Sequence, residues 1–76
     1  MKDPPGEVPI VVRAPQRGVH GSFRRVEIGK VHVGNACRVT DVVEFARRAG
    51  LGVIDPLDSS VVWWRGGGPE EWLGLD

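Results

Sequence analysis

Few residues in this 76-residue chain can do chemistry: one cysteine, Cys37, two histidines, His20 and His32, and three tryptophans, Trp63, Trp64 and Trp72, set among ten Lys+Arg and ten Asp+Glu. Nucleophilic catalysis needs a base within hydrogen-bond reach of the nucleophile and a third group that orients the base. Only Glu27 and His32 have a geometric reason to lie side by side, across a hairpin, and an exposed cross-strand ion pair accounts for that placement without any reaction. Cys37 directly follows the hairpin and reads as a small core residue. His20, His32 and Cys37 match no finger, ribbon or helical zinc spacing, and one thiolate does not make a structural zinc site. The triplet Gly66-Gly67-Gly68 is followed by Pro69, Glu70 and Glu71 where a phosphate loop requires Lys-Ser/Thr. The expectation is a protein without catalytic residues, metal or cofactor.

Two other sets of residues are suited to binding. The zero net charge conceals a skew: residues 11–48 sum to +5, residues 1–10 to −1 and residues 49–76 to −4. The cations of the middle segment are Arg13, Arg17, Arg24, Arg25, Lys30, Arg38, Arg47 and Arg48. Sharing one face, they would form a nucleic-acid-binding patch held by phosphate contacts. Distributed over the outer sides of strands and a helix, they would be solvated and partly neutralised by the acidic tail folding back. The second set is apolar. Neighbours on a strand point to opposite faces, so Trp63 and Trp64 cannot enter the same core layer. One of them faces the helix; the other is covered by Trp72, Leu73 and Leu75 of the tail, or is an anchor for a partner or a stacking platform for bases. Trp63, Trp64, Trp72, Leu73 and Leu75 are therefore the candidate partner-binding residues, for another protein or a second copy of the chain.

The elements that must position these residues are legible in part. Val8 to Arg13 reads as a strand, placed at a sheet edge at its start because Pro9 has no N–H. Residues 14–21 are rich in turn formers and read as a loop. Val26 and Ile28 alternate with Arg25 and Glu27, after which the parity flips to Val31 and Val33. A two-residue type II′ turn at Gly29-Lys30 resolves the flip, setting Ile28 opposite Val31, Val26 opposite Val33 and Glu27 opposite His32. A helix follows, with Thr40 as N-cap, Asp41 and Glu44 in its first turn, Arg47 and Arg48 in its last, and Gly50 just beyond its end. Its stripe of Val42, Phe45, Ala46 and Ala49 should lie on the hairpin's four β-branched residues. Val61 to Arg65 has strand composition and can pair with the first strand or the hairpin. Pro69 to Leu73 starts as a helical turn does.

The stretch Thr40-Asp41-Val42-Val43-Glu44-Phe45-Ala46-Arg47-Arg48-Ala49-Gly50-Leu51 resembles the first helix and turn of helix-turn-helix DNA-binding proteins over 12 of 76 residues. Where that family begins its recognition helix, this chain has Gly52-Val53-Ile54-Asp55-Pro56. The resemblance thus implies one helix and its exit.

Together these readings predict an α+β domain over residues 8–65 with three or four mainly antiparallel strands and one helix on one face, in the order β-β-β-α-β. A flexible lead-in over 1–7 precedes it, and a glycine hinge with a short helical tail over 66–76 follows. The length allows one domain with a small core. No apolar run approaches the roughly 20 residues that span a bilayer, the first residues lack a signal peptide's apolar segment, and the single cysteine suits a reducing cytoplasm. The expected function is a small non-catalytic interaction module binding another protein, with nucleic-acid binding through segment 13–48 and tryptophan stacking as the alternative. Replacing Gly29 by Val should cost about 1 kcal/mol or more, because a β-branched side chain is strained at positive φ. Denaturant unfolding checks this, and an unchanged midpoint would misplace the turn.

Overall fold

The structure, a computed structural model, describes residues 8–19 and 21–72. The expected lead-in over 1–7, His20, Leu73 and Leu75 lie outside the described residues. Five strands and one helix follow in the order β1 (Ile10–Val12), β2 (Gln16–Gly18), β3 (Gly21–Ile28), β4 (Val31–Ala36), α1 (Val39–Arg48) and β5 (Val62–Trp64). The α+β class and the helix on one sheet face are as expected. The fifth strand is new: the segment read as a loop contains β2, which folds back on the start of β3 with Gly18 opposite Gly21.

Strand β3 is the spine of the sheet. Along one edge it pairs antiparallel with β4, and along the other with β1 and then β2. Strand β5 lies parallel to β1, with Ile10 beside Val62 and Val12 beside Trp64. This makes β1 central, against the expectation that Pro9 marks an edge. The proline stands one residue before the paired segment and contributes only its carbonyl, which accepts from Gly29 N–H at 3.0 Å. Its missing N–H is therefore never called upon.

The hairpin turn falls at Gly29-Lys30, but φ is 59° at Gly29 and 70° at Lys30, so the turn is type I′ and not type II′. Ile28 faces Val31 and Glu27 faces His32 as expected; beyond them the register shifts, and Val26 faces Gly34 instead of Val33. Val33 is the extra residue of a β-bulge. The four-residue β-branched face does not form, and Val31 and Val33 remain 62% and 39% exposed. The bulge instead brings Gly34 and Ala36 to the inner face. Ala36 is fully buried, while Gly34 leaves a gap that Phe45 of α1 fills: a Cβ built on Gly34 would stand 2.5 Å from Phe45 Cζ.

Helix α1 begins with Arg38 as N-cap, in extended conformation and with no side-chain capping bond. Thr40, the expected cap, is already within the helix. The start is secured from the third helical position, where Asp41 Oδ2 accepts the Cys37 N–H at 2.8 Å. Cys37 itself is exposed, the core position having gone to Ala36. At the other end Gly50 N–H donates to Arg47 O and Leu51 N–H to Ala46 O, a Schellman closure as the sequence indicates. No second helix follows among the described residues. Val42 and Ala46 are buried with Ile10, Val12, Val26, Ala36 and Val62; Phe45, Ile28, Ile54 and Trp64 pack at the margin of this core.

Among the described residues no helix is long and apolar enough to cross a membrane. The fit of Phe45 over Gly34 yields a test. Gly34→Ala should cost about 1–2 kcal/mol by forcing the ring outward, since crowding a packed site outweighs the entropy gained by losing a glycine. In a Phe45→Leu background that penalty should largely disappear. Equal penalties in both backgrounds, measured by denaturant unfolding, would show that the ring does not depend on the glycine.

Candidate functional site

The expected site residues separate onto the two sides of the sheet. On the inner side stands Arg24, which has no solvent-exposed surface. Its Nε donates to Arg13 O at 2.7 Å, Nη1 to Gly68 O and Glu71 O at 2.7 and 2.9 Å, and Nη2 to Arg65 O and Gly67 O at 2.9 Å each. All five guanidinium N–H groups are thus spent on backbone carbonyls. The guanidinium carbon lies 5.1 Å from the Trp64 ring centre and 5.4 Å from that of Trp72, within cation–π range of both. The two indoles meet edge to face at 6.4 Å and 81°. Burial lowers the pKa of Arg24 from its ordinary value, opposed by the negative charges of Glu71 and Glu70. Arg24 therefore leaves the nucleic-acid set: it is a structural cation.

Trp64 and Trp72 are engaged in the same way. Trp64 Nε1 donates to Pro56 O at 2.9 Å and Trp72 Nε1 to Pro69 O at 2.8 Å, so both polar handles are satisfied within the chain. The tail docks on Trp64, on the helix side, rather than on the outward indole. It does so through a single turn closed by Glu71 N–H to Gly68 O at 3.1 Å, not through a helix. Gly67 and Gly68, read as part of a hinge, offer two of the carbonyls that hold Arg24. Packing continues past Arg65 to Trp72.

The other side of the sheet is free of the helix. Register sets Trp63 beside Val11 and Val11 opposite Glu27, which in turn faces His32. Two residues along, the same alternation aligns Arg65, Arg13, Arg25 and Asn35; Arg13 N–H donates to Arg25 O at 2.8 Å and Arg65 N–H to Val12 O at 2.9 Å. Arg13 and Arg65, each just past the end of its strand, therefore stand in one row with Arg25 within β3. They line an open hollow of about 530 Å³ with Ala14, Gln16 and Gly66. The expected Glu27–His32 ion pair is absent. Glu27 Oε2 instead accepts from Arg13 Nε at 3.0 Å, with a longer contact of 3.4 Å between Oε1 and Nη2. His32 Nε2 is 3.0 Å from Gly34 O and 3.1 Å from Asn35 Oδ1, while its Nδ1 is 3.4 Å from Arg25 Nη2. One tautomer serves all three contacts: Nε2–H donates along the strand and Nδ1 accepts from Arg25.

The remaining cations fall elsewhere. Arg47 and Arg48 are exposed on α1 and reach Glu44 at 3.4 and 3.6 Å, contacts worth a few tenths of a kcal/mol at a solvated surface. Arg38 begins the helix and Lys30 occupies the hairpin turn. Arg17 alternates with Gln16 and so points to the other side. The candidate nucleic-acid set does not share a face; only Arg13 and Arg25 come together, joined by Arg65. By segment charge Arg65 belongs to the acidic end, although its spacing of two from Trp63 on a strand implies a common face. Compared with protein-family models, curated proteins and solved structures, the chain has no match among them.

Arg24→Met should lower stability by about 3 kcal/mol or more, since five carbonyls lose their donor together. Arg24→Lys, with three donors and no planar fork, should fall between. Denaturant titration followed by tryptophan fluorescence measures both. A methionine variant as stable as the parent would remove Arg24 from its structural role.

Proposed function

We propose that this protein is a non-catalytic interaction module whose helix-free sheet face, built on Trp63 and the row Arg13, Arg25 and Arg65, docks an acidic segment of another protein. The observation that carries this reading is the row itself. Like charges side by side on adjacent strands destabilise a sheet, and here Arg13 and Arg25 stand beside one another, with Glu27 engaging Arg13. An acidic partner places negative charge beside Arg13 and Arg25, and arginine's planar fork suits carboxylates. Trp63 supports the same reading. It is half-buried: its Nε1 is enclosed, without an acceptor among the described residues, and what it offers a partner is the exposed part of its ring. Partly covered tryptophans flanked by arginine are what binding hot spots are made of. Both nitrogens of His32 are used in positioning Arg25 and Asn35, which favours binding over proton transfer at this face.

Nucleic acid is the competing reading. It draws on fewer cations than segment 13–48 contains, because these divide between the two sides of the sheet. A glutamate-rich peptide and a random single-stranded oligonucleotide, each titrated into the full chain, separate the two. The peptide should bind, and Arg25→Glu should abolish that binding without moving the unfolding midpoint. Binding to the oligonucleotide alone, weakening steeply between about 50 and 200 mM salt, would replace the protein-partner reading with the nucleic-acid one.

A further inference from the structure

The hollow beside the arginine row counts three cationic residues among its lining. From this we infer that it receives a phosphate monoester carried on a phosphorylated side chain of the partner, an inference that rests on the binding-face reading above. Arg13, Arg25 and Arg65 line it together with Gln16. Glu27 engages Arg13 through Nε and Nη2, leaving Nη1 outside that pair. Arg25 is exposed, and its guanidinium meets the imidazole of His32, which brings no negative charge to it. Arg65 has interactions of its own within the chain and adds its charge to the field at the hollow.

A single carboxylate brings one negative charge. A phosphate monoester brings about 1.5 to 2 at neutral pH, together with three acceptor oxygens that can be shared between two guanidinium forks. The narrowness of the row favours a lone phosphate over a polymer backbone. Strands are roughly 4.8 Å apart, so three of them present a short line of charge, and Arg47 and Arg48 are on the helix side with Glu44.

The test is a titration of the isotopically labelled full chain with a short alanine-glycine peptide containing one phosphoserine, following the Nε–Hε signals of Arg13 and Arg25 by NMR. Saturable shifts are expected, with affinity at least about tenfold above that for the same peptide with unmodified serine, as a charge-assisted pair provides. Arg25→Gln should remove about that factor and leave the rest of the amide spectrum unchanged. Equal affinity for the two peptides, or an Arg25→Gln variant that binds as the parent does, would overturn the inference. A glutamate-rich peptide that matches the phosphopeptide through the same signals would also overturn it while leaving the acidic-partner reading intact. A 5′-phosphorylated oligonucleotide that binds more tightly than the phosphopeptide would overturn it in favour of a nucleic-acid phosphate.

Discussion

A buried cation holds the chain just after β1 to the segment that follows β5. Taking a guanidinium out of water is costly, and the cost is met only when every N–H finds an acceptor in good geometry. Arg24 meets that condition with carbonyls alone, one from Arg13 after β1 and four from Arg65, Gly67, Gly68 and Glu71 after β5. The relation is reciprocal. The segment after β5 is irregular, so its carbonyls have no strand or helix partner, and a chain with so small an aliphatic core could not cover them without another donor. Arg24 solvates the turn and the turn solvates Arg24. Trp64 and Trp72 flank the pair and exclude water from it.

This arrangement determines what is left on the helix-free face. With Arg24, Trp64 and Trp72 committed to the inner side, the residues facing away from the helix include Trp63, Val11, Phe23, Arg13, Arg25 and Arg65. The parallel pairing of β5 with β1 is what completes the row, since it sets Arg65 at the level of Arg13. The two faces thus have different roles through one strand: alternation sends Trp64 to the structural side and Trp63 to the open side. A basic surface patch and a structural cation arise from the same run Arg24-Arg25 for the same reason.

The bulge in β4 shows a similar economy. Strict pairing after the I′ turn would place Val33 over Val26 and leave no room for an aromatic ring from α1. One extra residue puts Gly34 there, lets Phe45 close on the sheet, and turns Ala36 inward opposite Arg24. The shift also moves Asn35 to the open face, where it accepts from His32 and so helps to hold Arg25.

What the sequence by itself determined was local: the helix and its Schellman exit, the hairpin turn at Gly29-Lys30, the strand character of Ile10–Val12 and Val62–Trp64, and the opposite facing of Trp63 and Trp64. Each follows from interactions among residues a few positions apart, where propensity and side-chain period suffice. The bulge at Val33, the position of β1 between β3 and β5, and the strand Gln16–Gly18 were decided by tertiary structure, because each depends on which distant segment supplies the neighbouring backbone. The site was legible to the same extent. Arg13, Arg25 and Trp63 were identifiable by residue type, yet segment charge could not divide Arg24 from Arg25 or unite Arg65 with Arg13. A guanidinium has the same formal charge in water and in a nest of carbonyls, and only the fold decides which of these surrounds it.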